Sequence, residues 1–447
     1  MVGNADIAVP RRHLRVRWII FAMLFGFCFL AYLQRTGITV ISKGLMSDSG
    51  LTQIEIGWAL TAFLVSYTIL QVPASICGEW AGARRTFSII SLLAVLSTIG
   101  VAVAPLAFHG LLLLCALMTA CVLLGAAQSP IFPMASGAIE VWFPTGNWGK
   151  PQGLITAGAQ LGSTAAAPLT AWLVEAVGWK WALILPGIPC VALTAFWYGY
   201  SRDSPAQHRR VSPAELAELG TPSRAEQRQR VALHDVLRVL RDRNIVLLSV
   251  SYLCMNYVFY LISFWCFLYL VEQRHFSVLE GGWLASLPYA GAALGGVVGG
   301  WVCDYLCATW GLRNGYRAIP LVALPTAGLL LIWAVNSDNG YEAVAILAFA
   351  FASIELTEGP FLAAATAIAR EHTTAATGVV NTGGNIGGII ATPIVAALST
   401  HAGWTAAFVT GAAFALVSAA LWLFVDASRT LAPAARHRGE WLAAPGG

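Results

Sequence analysis

Hydrophobic and polar positions divide this chain into apolar runs joined by short polar turns, with one long interruption. The runs lie near 18–41, 53–76, 85–107, 111–139, 150–176 and 180–200, then near 245–271, 281–306, 318–336, 341–369, 375–399 and 404–426. Each is about the length a helix needs to cross a bilayer core of about 30 Å, roughly 20 residues at about 1.5 Å each. Residues 201–243 are polar and split the runs six and six. The pattern predicts an all-α membrane protein of twelve transmembrane helices in two six-helix halves. Its parts are a tail over 1–17, a bundle over 18–200, a linker over 201–243, a bundle over 244–428 and a tail over 429–447.

The halves repeat. A shift of 225 residues lays Gly153, Gly158, Gly162, Pro168, Gly178 and Trp179 on Gly378, Gly383, Gly387, Pro393, Gly403 and Trp404. The same shift puts Gln160 on Asn385, Glu79 on Asp304 and Arg35 on Tyr260. Glycine is common in any membrane helix, so the shared offset carries the argument rather than any single match. Duplicated halves related by an axis along the membrane normal belong to transporters that rock around a midplane site. Glycines spaced by four let such helices approach closely.

Composition agrees: 57% of residues are hydrophobic and 11% charged, against about 25% charged in soluble domains. The basic start, Arg11 to Arg17, leads into a full-length span without a small-residue cleavage site, so no cleaved signal is expected. With the N-terminus inside, inner segments carry 22 of the 26 Lys and Arg, and nine of those fall between Arg202 and Arg243. Outer loops hold only Lys43, Lys180 and Arg274. The positive-inside rule therefore places both termini and the linker in the cytoplasm. The net charge of +4 follows from this segregation and calls for no nucleic acid. Nine cysteines sit almost wholly in apolar runs, with no disulfide framework and no zinc spacing. The 23 Arg against 3 Lys, with abundant Ala and Gly, suggest a GC-rich bacterial genome and hence a cytoplasmic membrane.

Arg35 is the residue the rest is organised around. An arginine inside a span costs a few kcal/mol and normally faces a bundle interior or a watery path. The alternative is that it snorkels to the nearer interface. In the linker, Ser212-Pro213 followed by Glu215 and Glu218 reads as a short capped helix along the membrane surface.

Gly78-Glu79-Trp80-Ala81-Gly82-Ala83-Arg84-Arg85, between spans two and three, resembles the acidic-Gly-basic signature of the major facilitator superfamily, with Glu for the usual Asp and Trp80 for the usual Arg. Within it, Tyr32-x-x-Arg35, Phe63-x-x-x-Tyr67-x-x-x-Gln71-x-Pro73 and Gln128-Ser129-Pro130-Ile131-Phe132-Pro133 resemble the anion:cation symporters. Those carry sugar acids and aromatic acids in bacteria and include the vesicular glutamate and sialic acid transporters. The resemblance implies that Arg35 holds the substrate carboxylate, that Tyr67 lines the pocket and that Gln160 contacts substrate hydroxyls. Gln71, one turn beyond Tyr67 in the same motif, joins the candidate pocket. A guanidinium suits the first role as a bidentate fork.

Departures from that family matter as much. Gln34 and Gln128 stand where many members have acids, and Cys121 stands where an arginine is common. Two acids appear instead in span ten, Glu355 and Glu358, at a spacing that shares a helix face. Glu358-Gly359-Pro360 also resembles the acid-x-Pro of the family's span four. A buried carboxyl beside a like charge can take up a proton, so this pair is the candidate proton carrier. The competing reading pairs one glutamate with Arg35 and leaves the other neutral and hydrogen-bonded. Tyr260, Asn381 and Asn385 are further candidates for substrate contact, Asn256 and Tyr289 weaker ones. Glu79, Arg84, Arg85 and Asp304, at the cytoplasmic edge, read as a conformational latch.

The expectation is a secondary transporter, not an enzyme, since no nucleophile–base set or metal cluster appears. It takes up a small organic anion by proton-coupled symport, as a monomer in the lipid bilayer, with no cofactor beyond the proton. A uniporter, an anion exchanger and a proton-driven efflux antiporter stay open, as does a transport-fold sensor acting through the linker.

Overall fold

The computed structural model describes residues 16–143, 149–219, 237–369, 373–429 and 431. Spans one to three are Val16–Ser49, Gln53–Ala81 and Ala83–Ala107. Span four is Gly110–Gln128 with Ile131–Trp142, span five Gly149–Val177, and span six Trp179–Ile184 with Gly187–Tyr200. Span seven is Arg243–Glu272, and spans eight and nine lie within Val278–Asn336. Span ten is Gly340–Glu355 with Glu358–Ala369, span eleven Thr373–His401 and span twelve Gly403–Trp422. A straight helix of 59 residues would be three bilayer cores long, and Gly311 (φ 77°) divides it into two spans. Among the described residues, ten helices are long and apolar enough to cross a membrane. The divided one supplies two spans, and Gly149–Val177, diluted by Gly, Ala, Ser and Thr, completes the twelve transmembrane helices.

Polar caps set several starts. Thr52 and Glu55 form a reciprocal capping box at span two, and Asp242 accepts from the Ile245 amide at span seven (3.0 Å). The sequence pattern gives no warning that spans four, six and ten are broken. Proline accounts for each break, because it has no amide hydrogen to donate. Pro130 leaves the Ala126 carbonyl free, and the Ser129 hydroxyl takes it (3.0 Å). Pro186 caps the second segment of span six. In span ten the break falls at Leu356–Thr357, four residues before Pro360, which cannot donate to the Leu356 carbonyl.

Backbone geometry repeats with the sequence. Gly178 and Gly403 open their turns at φ 84° and 83°, a conformation that costs glycine little. A side chain on Gly162 would collide with the Phe29 carbonyl oxygen, and one on Gly387 with the Leu253 carbonyl oxygen. Spans five and eleven thus meet spans one and seven at matching points. Each half also carries a clasp beyond its sixth span. Asp203 accepts from the Arg84 amide (2.8 Å), and Asp426 pairs with Arg313 (3.8 Å).

The halves meet on the face remote from the termini, where spans two and eight begin and five and eleven end. There Gln53 donates to Ser399 (2.9 Å), the hydroxyls of Thr61 and Thr392 bond at 2.6 Å, and Gly57 packs on Ala396. Gly282 of span eight presses on Ala171 of span five. In the linker, Pro213–Leu219 is helical, the Glu215 amide donates to Ser212 Oγ (3.1 Å), and Glu215 Oε1 accepts from the Arg17 amide (3.3 Å).

Candidate functional site

Span one delivers Arg35 between the halves, only 8% exposed. Five aromatic rings surround the guanidinium carbon. From its own half come Tyr32 (5.5 Å), Phe63 (5.1 Å) and Tyr67 (5.6 Å). From the other come Tyr260 and Phe264, both at 5.5 Å. Cation–π attraction offsets part of the desolvation of a buried guanidinium. Arg35 therefore does not snorkel. It also makes no ion pair with any carboxylate among the described residues. Its Nη2 donates to the Tyr260 hydroxyl at 3.1 Å. The two residues are equivalent in the internal repeat, so this bond joins the halves near their symmetry axis.

Span seven builds the facing wall. Tyr252, Asn256, Tyr260 and Phe264 recur every fourth residue, which keeps them near one face of a helix. Span eleven adds Asn385, whose Oδ1 accepts from the Tyr260 hydroxyl (3.5 Å) and whose buried Nδ2 has no partner among the described residues. One turn away, Asn381 donates to Gln71 Oε1 at 3.3 Å, a second bond between the halves. Of the candidate substrate contacts, then, Arg35, Tyr67, Tyr260 and Asn385 converge, and Gln71 and Asn381 bond to one another. Gln160 is half-buried on span five, and its side chain makes no hydrogen bond among the described residues.

The span-ten glutamates flank the helix break. Glu355 ends one helix and Glu358 begins the next. Glu358 accepts from the Tyr252 hydroxyl through both oxygens, at 2.7 and 2.9 Å. Glu355 is 6% exposed, lies beside Gly296 of span eight and accepts no hydrogen bond among the described residues. Neither forms an ion pair there, so the expected alternative of a glutamate pairing with Arg35 is not what the structure contains. The breaks set Glu355 at the place of Gln128, and Pro360 then falls at the place of Pro133. Gln128 donates to the Ala31 carbonyl of span one (3.0 Å), a structural bond.

Other candidates play local parts. Tyr289 donates to the Ser263 carbonyl (2.6 Å), and Asn256 to the Tyr252 carbonyl (3.0 Å). In the expected latch, Arg84 bonds the Tyr198 carbonyl (2.8 Å) and covers its ring within its own half. Arg85 and Asp304 are exposed and bridge nothing between the halves among the described residues, and the Glu79 side chain lies outside them. Sequence reasoning passed over Tyr252 and Phe264. The four-residue ladder on span seven, starting from Tyr260, was the signal that could have found both.

With this geometry in view, comparison with known proteins identifies the family. The profile of the Major Facilitator Superfamily matches residues 24–372 and 282–444. The chain belongs to the Major Facilitator Superfamily. This facilitator is a multi-pass membrane transporter and not an enzyme. It is 25% identical over 432 residues to the probable sulfoacetate transporter SauU of Cupriavidus necator, covering 96% of this chain and 98% of that one. It is 26% identical over 405 residues to the probable galactarate/D-glucarate transporter GudP of Bacillus subtilis, covering 88% and 87%. It is also 26% identical over 431 residues to the D-galactonate transporter of Escherichia coli, covering 92% and 96%. Among solved structures, a bacterial homologue of the lysosomal transporter Spinster superposes with TM-score 0.74 at 16% identity, over 94% of this chain and 98% of that one. The D-xylose-proton symporter gives TM-score 0.72 at 14% identity, over 93% and 99%. At these identities the solved structures speak for the fold alone.

Proposed function

We propose that this facilitator takes up a small organic carboxylate across the cytoplasmic membrane by alternating access, coupled to protons. The observation that carries the reading is the buried Arg35 guanidinium, which has no described carboxylate partner and is bonded to the opposite half. A buried charge without a counter-ion is costly, and an incoming anion removes that cost. A carboxylate would take the guanidinium fork in two parallel bonds. Because Tyr260 belongs to the other half, an anion on Arg35 touches both halves and can bias their rocking. Relatives named for galactarate, glucarate, galactonate and sulfoacetate support an organic acid.

Orientation follows the basic residues, with termini and linker in the cytoplasm. The halves are joined on the opposite face, so the site in this state would open inward. Glu355 and Glu358 are the proton carriers in this reading. With both ionised, Arg35 and the two acids sum to −1 and repel an anion; one proton brings the set to 0. Anion and proton then favour each other's binding reciprocally. A second reading is a uniporter or anion exchanger. It is favoured by Gln34 and Gln128, which cannot ionise, and by the structural bond Gln128 makes to Ala31.

The test is uptake of labelled organic acids into proteoliposomes under an imposed pH gradient. Wild type should concentrate substrate. Glu355→Gln or Glu358→Gln should lose that accumulation while retaining counterflow exchange. Arg35→Ala should lose binding by at least about 30-fold, since truncating one partner of a buried charge pair costs about 2–5 kcal/mol. Equilibration without accumulation by wild type would turn the reading to uniport, and full binding by Arg35→Ala would remove the carboxylate clamp.

A further inference from the structure

We propose that Tyr252 is a positioning residue that couples proton loading at Glu358 to anion binding at Arg35, acting through span seven. The inference rests on the proton-coupled reading and adds the part that links the two sites. Tyr252 and Tyr260 lie eight residues apart on one helix, about two turns. The first donates its hydroxyl to both oxygens of Glu358, at 2.7 and 2.9 Å. The second accepts from Arg35 Nη2 at 3.1 Å. The carboxyl and the guanidinium are thus each fastened to the same helix by a phenol. Glycines of span eleven seat both rings: a methyl group on Gly384 would collide with the Tyr252 ring, and one on Gly388 with the Tyr260 ring. Phe361 of span ten closes over Tyr252 at 5.0 Å, and Asn256 donates to the Tyr252 carbonyl at 3.0 Å.

Chemistry at the two ends gives span seven something to transmit. An ionised Glu358 only accepts, and its bond from Tyr252 is charge-assisted. A proton makes one of its oxygens a donor and leaves a neutral bond, roughly half as strong. Loading therefore loosens span ten from span seven. An anion on Arg35 competes with the Tyr260 hydroxyl for the guanidinium hydrogens, which loosens span seven from span one. With the helix free at one end, shifting it at the other costs less, and linkage makes the effect reciprocal. Tyr32 of span one is the other titratable group beside the glutamates, and its ring lies against Arg35. Span eight meets the break in span ten through Gly296, Gly299 and Gly300, which carry no charge. Tyr252→Phe removes the hydroxyl and leaves every formal charge in place, so it separates this route from attraction between charges alone.

Calorimetric titration of the purified full-length protein with D-galactonate, D-glucarate and sulfoacetate across a pH range tests this, read as the ratio of affinities on the acid and alkaline plateaus. Wild type should bind at least one of them about tenfold or more tightly on the acid plateau. Tyr252→Phe should cut that ratio to about threefold or less and keep the acid-plateau affinity within about threefold of wild type. Gly384→Ala, which pushes the ring off its seat, should act in the same direction where Tyr252→Phe does not fold. A Tyr252→Phe ratio equal to that of wild type, with the profile merely displaced along the pH axis, overturns the role of Tyr252 and leaves proton coupling by charge standing. Wild-type affinity that does not depend on pH overturns the coupled reading and this inference together, as does no binding of any of the three acids.

Discussion

Spans four and ten are one backbone device carrying two kinds of side chain. Both run to the middle of the bundle, break, and resume, at Ile131 and at Glu358. Both follow the break with a proline, Pro133 and Pro360, in the same register. Before the break span four has Gln128, tied to the Ala31 carbonyl, and span ten has Glu355, which accepts no hydrogen bond among the described residues. The first half has thus kept the cation, Arg35, and spent its break position on holding helices together. The second half holds the acids. Duplication fixed where a side chain enters the core, and divergence decided which half carries the carboxyls there.

The comparison can be broken by making the halves alike. Glu355→Gln copies the first half into the second and should abolish gradient-driven accumulation, with exchange retained, in reconstituted vesicles. The reverse change, Gln128→Glu, should not supply a working carrier, because it removes the amide donor to Ala31. It should also lower thermal stability, by about 1–3 kcal/mol for the unsatisfied group. Glu355→Gln still concentrating substrate would mean the two breaks do not differ in function.

Where the halves are truly equivalent, substitutions should cost the same. Gly162→Ala and Gly387→Ala each force a methyl group against a carbonyl of the neighbouring span. Overpacking of this kind costs about 1–3 kcal/mol, and thermal unfolding of the two variants should fall together. A large drop in one alone would show that the close approach matters in only one half.

Smaller effects sharpen the picture at the axis and at the ends. Tyr260→Phe keeps the ring over Arg35 and removes the bond between the halves, so binding should change by about three- to tenfold, the equivalent of about 0.5–1.5 kcal/mol. At the end of the second half, the hydroxyl of Ser428 holds the Asp426 carboxyl below its usual range, with help from Arg313 and Arg429. A depressed folded value means the contribution is present above the ordinary Asp range near about 4 and lost as pH falls through it. Wild type should therefore lose more thermal stability than Asp426→Asn between about pH 6 and pH 3. Equal losses would show that the clasp does not depend on the charge.

Much of the fold was legible because membrane helices leave a strong one-dimensional record. The apolar runs located the spans to within a few residues at most ends. The exceptions are informative. The break in span ten lies between two residues with no helix-breaking character, Leu356 and Thr357. Its cause sits four residues on, at Pro360, where the loss of a donor is felt one turn back. Arg35 could be read as a site residue because a charge in a span is expensive. Tyr252 and Phe264 could not stand out in the same way, since aromatic residues are ordinary in apolar runs.

What the sequence determined by itself is the number of spans, their duplication and the presence of one arginine within the membrane, because each follows from hydropathy, spacing and charge along a single chain. What only the tertiary structure decided is who faces whom. Arg35 has five rings and the Tyr260 hydroxyl around it and no described carboxylate, while Glu358 is held by Tyr252 and Glu355 accepts no hydrogen bond among the described residues. The spacing of Glu355 and Glu358 promised a shared face, yet the break between them gives each a different neighbouring span. Periodicity tells which residues share one helix surface. Which surface it meets depends on breaks set within a turn, as at Pro360, and on crossings between residues as distant in sequence as Arg35 and Tyr260.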